Sequence, residues 1–223
     1  MSEVKVIEIG ESIYAANEKE ADIIRNKMTA QGTLFVNVMS GPGSGKTTTL
    51  SALINLMKDK YKIGEMDVDI ETSIDAQRVA DATGVESLQI HNMGLCHIDA
   101  DMTSRALAEY DTTNLDLLIL ENIGNLVCPA EFDVGSHKNI MLLSVPEGDD
   151  KPLKYPLMFS ISDVVLINKI DTLDYFDFDK EKVSERIKNL NPNAKIFFIS
   201  AKTGQGLDEV VEWFEEEIGK LKK

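Results

Sequence analysis

Apolar residues recur along the chain in two rhythms. Short, nearly continuous runs such as Leu34-Phe-Val-Asn-Val-Met39, Leu115-Asp-Leu-Leu-Ile-Leu120 and Val164-Val-Leu-Ile-Asn168 suit strands buried on both faces. Between them, apolar positions return at helical spacing, as in Leu50, Leu53, Ile54 and Met57. The pattern predicts strands over residues 34–39, 62–69, 87–93, 115–120, 139–145, 163–168 and 195–200. Helices are expected to about residue 60 after the first strand, and over about 75–82, 99–109, 179–190 and 207–221. Residues 147–156 read as a charged loop and 171–182 as a loop entering a helix. Near the N-terminus Ile13, Ala16, Ala21, Ile24 and Met28 fall among charges, as on an amphipathic helix that Gln31-Gly32 ends. Strands alternating with helices indicate an α/β domain, a mostly parallel sheet with helices on both faces. The expected organisation is one domain over 1–223, with residues 1–31 a helical extension packed on it.

The first strand runs into Ser40-Gly-Pro-Gly-Ser-Gly-Lys46-Thr47 and then a helix, the arrangement of a phosphate-binding P-loop. Gly41, Gly43, Ser44 and Gly45 let backbone N–H groups turn toward phosphate oxygens, and the helix entered at Thr47-Thr48 adds its positive dipole end. Lys46 is placed to reach the β- and γ-phosphates, and the Thr47 hydroxyl to meet Mg²⁺. The strict pattern has glycine where this chain has Ser40.

Asn168-Lys169-Ile170-Asp171 ends a later strand. The Asp171 carboxylate can accept from guanine's ring N–H and exocyclic amino group, a pair of donors that adenine lacks. Asn168 can bond the far edge of the base while the Lys169 stem lies along the ring. With Ser200-Ala201-Lys202 after a further strand, this resembles the base-reading loops of GTPases, so GTP is the expected nucleotide. For Mg²⁺ the candidates beside Thr47 are Glu121 and Asp69, carboxylates at expected strand ends. Lys46, Thr47, Asp69 and Glu121 form the expected catalytic group, with Asp69 the first choice for activating water.

Charge narrows the partners. Lys and Arg number 23 against 38 Asp and Glu, a net −15, which disfavours nucleic acid. No run of about 18 apolar residues occurs, so no membrane partner is expected, and the N-terminus lacks the apolar core of a signal peptide. A cytoplasmic protein is expected. In that compartment Cys96 and Cys128, the 2 cysteines, suit buried thiols or metal ligands better than a disulfide.

The segments Glu121-Asn-Ile-Gly-Asn-Leu-Val-Cys-Pro-Ala-Glu-Phe-Asp-Val-Gly135, Val145-Pro-Glu-Gly-Asp-Asp-Lys-Pro-Leu-Lys-Tyr-Pro156 and Cys96-His97-Ile-Asp-Ala100 resemble the HypB family of hydrogenase nickel-incorporation GTPases from about residue 15 onward. The resemblance implies a dimerising P-loop GTPase of the SIMIBI type, with nucleotide near the subunit interface. It also implies a Ni²⁺ or Zn²⁺ site at Cys96, His97 and Cys128. Thiolate and imidazole suit either ion, and three ligands from one chain leave room for a second subunit. The function so implied is a slowly hydrolysing metallochaperone that assists nickel insertion into [NiFe]-hydrogenase. Its partners would be a second copy, the immature hydrogenase large subunit and other hydrogenase-maturation proteins. Urease-accessory GTPases share Glu-Asn-x-Gly but carry a Cys-Pro-His motif where Cys96 is followed directly by His97. A urease-type nickel protein and a metal-binding regulatory GTP-binding protein with little hydrolysis are the alternatives. Many relatives carry an N-terminal Cys-x-x-Cys or histidine-rich nickel site; residues 1–33 have neither, so metal storage is not implied. Val68 stands before Asp69 where glycine is common in the family. His91 and His137 read as structural.

Overall fold

The computed structural model describes residues 10–69 and 74–222. The first nine residues of the expected extension, the Ile13 side chain and Glu71-Thr72 lie outside the described residues. In chain order the elements are α1 (Gly10–Gln31), β1 (Leu34–Ser40), α2 (Lys46–Met57), β2 (Ile63–Asp69), α3 (Ile74–Thr83), β3 (Ser87–His91) and α4 (Ala100–Glu109). They continue with β4 (Leu117–Gly124), β5 (Lys138–Ser144), α5 (Lys151–Lys154), α6 (Pro156–Ser160), β6 (Val164–Asn168), α7 (Lys180–Leu190), β7 (Lys195–Phe198) and α8 (Leu207–Leu221). The strands form one sheet in the order β3-β2-β4-β1-β5-β6-β7, and every neighbouring pair is parallel.

Alternation along the strands sends side chains to two cores. Val36 and Val38 of β1 join Leu117 and Ile119 of β4 against α2, α3 and α8, with Trp213 and Phe214 buried there. On the other face Phe35, Leu118 and Leu120 pack under α1 and α4. Met39, Met141, Val165 and Ile167 pack under α6 and α7. Ala21, Ile24 and Met28 bury one face of α1, as its spacing predicts, whereas Ala16 is exposed. Among the described residues no helix is long and apolar enough to cross a membrane.

Several boundaries differ from the expected ones. β4 begins at Leu117, after Asp116, whose side chain accepts from the Lys62 N–H at 2.7 Å, and it continues through Glu121 to Gly124. β3 stops at His91. β7 stops at Phe198, after which Ser200 N–H donates back to Gln205 O at 2.9 Å. The expected loop at 147–156 holds a 3₁₀ turn at its start (Val145–Glu147) and then α5, and α6 begins at Pro156. Each has proline in its first turn, where a missing N–H costs nothing. A further 3₁₀ turn, Ile170–Tyr175, precedes α7, whose N-cap Asp179 accepts from the Glu181 and Lys182 N–H groups.

Candidate functional site

β1 lies between β4 and β5, and the order of connection reverses there: β1 leads outward to β2, β4 to β5 on the opposite side. In parallel sheets the crevice beyond the strand ends at such a point receives ligands. The loop between β1 and α2 fills that position. Gly45 has φ 95°, and a Cβ there would lie 2.7 Å from Asn168 Nδ2. At Gly41 a Cβ would meet Glu147 Oε1 at 2.5 Å, so a larger residue would displace that carboxylate. Ser40, by contrast, is still a β1 residue paired with Gly124 and Leu142, and needs no glycine.

A cleft of about 810 Å³ opens over the loop and over the ends of β2 and β4. Glu121 sits buried in it. Its Oε1 accepts from Thr47 Oγ1 at 2.8 Å and pairs with Lys46 Nζ at 3.2 Å. The sheet register sets Asp67 beside Glu121, and candidate ligand oxygens of Glu65, Asp67 and Glu121 lie within 4.8 Å of one another. Burial, opposed by Lys46, raises the Glu121 pKa. Burial, then the Glu121 charge, raises Asp67 to about 7. Burial raises Glu65 to about 9 although Ser87 Oγ donates to it.

Asp67 Oδ2, Glu121 Oε2 and Glu65 Oε1 are buried without a hydrogen-bond partner. Orphaned, mutually repelling carboxylate oxygens next to a threonine hydroxyl fit a hard divalent cation. Asp69 lines the same cleft one strand repeat further out, outside that compact group. Sequence reasoning missed Asp67. Period-two alternation puts it on the face of Asp69, but only the β2–β4 register brings it to Glu121. It also missed Arg78 of α3, which lines the cleft and pairs with Asp75 at 2.8 Å.

The loops expected to read the base are strapped to the phosphate loop. Lys169, in the left-handed region at φ 62°, donates from Nζ to Gly43 O at 2.6 Å. Asn168 Nδ2 donates to Ser44 O and Thr49 Oγ1, while its Oδ1 accepts from the Ala201 N–H. Both ends of that amide are occupied, and Asn168 braces the phosphate loop and α2 against the loop of Ala201. Asp171 is exposed, held by Ser200 Oγ at 2.6 Å, and Lys202, two residues after Ser200, is exposed as well.

The two cysteines, far apart in the chain, meet: Cys96 Sγ and Cys128 Sγ are 2.9 Å apart, and both are free thiols. His97 Nδ1 lies 3.8 Å from Cys96 Sγ. The three do not form a mutually compact trio, so closing all of them on one ion requires the imidazole to swing toward Cys128. The hydrogen bond with Cys128 raises the Cys96 pKa, and burial adds to it. A metal replacing the shared proton relieves that cost.

A cavity of about 480 Å³ lies between Cys96 and the phosphate loop. Gly41 and Pro42 line one side, Cys96 and residues 123–127 the other. Asn125, directly after β4, donates to Cys96 O at 3.3 Å and accepts from the Val127 N–H at 2.9 Å. Of the other histidines, His91 is exposed at the end of β3. His137 is fixed between the Phe35 N–H and Thr29 Oγ1, and burial lowers its pKa, as a structural role requires.

The family model described as the CobW/HypB/UreG nucleotide-binding domain matches residues 34–198. Over 219 residues the chain is 39% identical to the hydrogenase maturation factor HypB of Azotobacter chroococcum mcd 1, covering 98% of this chain and 72% of the relative. The chain belongs to the HypB family. A probable HypB of Methanocaldococcus jannaschii is 37% identical over 98% of this chain and 99% of its own. Among solved structures, HypB from Helicobacter pylori in complex with nickel superposes with a TM-score of 0.86 at 39% identity, covering 92% of this chain and 96% of that one. The α/β P-loop architecture expected from the sequence is thus the HypB fold.

Proposed function

We propose that this HypB-family protein is a GTPase that carries nickel for hydrogenase maturation and whose metal site responds to the bound nucleotide. The observation that carries the reading is the join between the two sites. Gly124 closes β4 within 3.4 Å of Pro42 as measured from its would-be Cβ, and only Asn125, Leu126 and Val127 separate it from Cys128. A shift at the phosphate end of β4 moves a thiolate directly.

In hydrolysis, water attacks the γ-phosphorus of GTP, and GDP leaves with its bond to that phosphoryl group broken. Lys46 and the loop N–H groups meet the charge on the phosphate oxygens. Thr47, Glu121 and Asp67 would hold Mg²⁺, which when bound would supply positive charge to neutralise the phosphates. Asp69, at the cleft mouth, is the group we assign to orienting water. Asp171 selects guanine. Cys96, His97 and Cys128 hold Ni²⁺ or Zn²⁺; the nickel bound by the Helicobacter pylori relative supports the former. With three ligands per chain, a second copy completes or shares the coordination, and the clients are the immature hydrogenase large subunit and its maturation proteins.

Lys46→Ala tests the catalytic half. Its loss is expected to lower GTP turnover by roughly 100-fold or more, with the far-UV circular dichroism unchanged because Glu121 can take up a proton once its cation is gone. Turnover equal to that of the parent would refute the phosphate-loop assignment.

A further inference from the structure

The segments bearing the metal ligands leave different parts of the sheet, one leading into α4 and the other following β4, yet one side chain of α1 holds both. Asn17 Oδ1 accepts from the Ala100 N–H at 2.8 Å, and its Nδ2 donates to Asp133 O at 2.8 Å. A planar amide with a donor at one corner and an acceptor at the other fixes the two backbones relative to each other. Ala100 is four residues beyond Cys96, and Asp133 five beyond Cys128.

The same side of α1 reinforces the clamp. Tyr14 packs on Phe132 with ring centroids 5.7 Å apart, and Phe132 stacks on His97 at 4.0 Å with an interplanar angle of 7°. Arg25 pairs with Asp133 Oδ2 at 2.5 Å and donates to Ser136 O at 3.0 Å. Gly135 sits so near the helix that a Cβ there would come within 2.6 Å of Ile24 Cβ. α1 is thus the seat on which the Cys128 segment rests and to which the Cys96-His97 segment is tied.

We propose that Asn17 is a positioning residue of the metal site, setting the separation of Cys128 from Cys96-His97 without touching the ion. The inference rests on the metal-site reading above. Transition-metal sites hold bond lengths to roughly ±0.2 Å, so a hydrogen-bonded clamp one segment away governs how much reorganisation binding requires. Asn125 also touches both segments, but from the nucleotide side. Loss of Asn17 is therefore expected to weaken metal binding equally in the GDP and GTP-analogue forms.

The test is titration of Ni²⁺ into Asn17→Ala, followed by thiolate-to-nickel charge-transfer absorbance, in both nucleotide forms. Losses at outer-shell partners run to about 10–100-fold in affinity. A weakening of about tenfold or more, alike in both forms, is expected, with a shifted absorption band and unchanged nucleotide affinity. Asn17→Asp, which keeps the acceptor for Ala100, should recover part of the loss. Parent-like nickel affinity in Asn17→Ala, with Cys128→Ala strongly weakened, would overturn the role of Asn17 and leave the metal site standing. Parallel loss of metal and nucleotide binding would also overturn it, as a folding defect. Parent-like nickel binding by Cys128→Ala would instead remove the metal-site reading itself.

Discussion

Three carboxylates crowded into the end of a hydrophobic sheet are costly, and Glu65 shows the cost most plainly. It is fully buried, one oxygen has no partner, and its pKa rises from 4.5 to about 9 through burial. A proton is therefore held more tightly in the folded chain than in the unfolded one. The sign follows from linkage: the contribution is fully present below pH 4.5 and is lost as pH rises toward 9. In the presence of a chelator, the thermal midpoint is expected to fall across that range. Glu65→Gln, which copies the protonated acid, should flatten the fall and raise the midpoint at its alkaline end by several degrees, at roughly 2–4 °C per kcal/mol for a chain of this size. Thermal scans at a series of pH values check it. Parallel midpoint curves for the two proteins would mean that Glu65 is not the titrating group. Tolerating such strain is reasonable where a cation relieves it.

At the scale of elements, the junction after β4 decides whether the two sites communicate. Asn125 is its hinge, since one amide reads Cys96 O and the Val127 N–H while the residue itself follows Gly124. Asn125→Ala is expected to leave affinity for nucleotide alone within about twofold and to bring the ratio of metal affinities in the two nucleotide forms toward one. Couplings of this kind typically span about 5–150-fold, so calorimetric titration resolves the change. An unaltered ratio would place the coupling elsewhere.

The same junction shows what was legible beforehand. β1, β4 and β6 were readable because strands buried on both faces must be apolar runs, and the phosphate loop because its glycine pattern is local in sequence. Glu121 was readable as a strand end but not as a strand interior, since β4 outlasts its apolar run by pairing with β1 and β2. Asp67 and Asn17 were not readable. Each acquires its role from a partner 54 or 83 and more residues away, by register in one case and by helix docking in the other. α5 and α6 were missed because helices of 4 and 5 residues are too short for periodicity to register.

In the whole molecule, one crevice gathers the ends of β1, β2 and β4, so phosphate, cation and thiolate ligands answer to the same strand positions. The loops of Asn168 and Lys169 are bolted to the phosphate loop, which leaves the β4 end as the part placed to respond. Such an arrangement acts as a carrier only if nucleotide and metal change each other's affinity, and linkage makes that change reciprocal. The direct measurement is nickel affinity of the GDP form and of the form loaded with a non-hydrolysable GTP analogue, titrated side by side. The prediction is a difference of about fivefold or more, mirrored when nucleotide is titrated with and without nickel. Equal nickel affinities in the two forms, with Cys128→Ala binding weakly in both, would contradict it and leave a metal site and a GTPase that share a chain but not a switch.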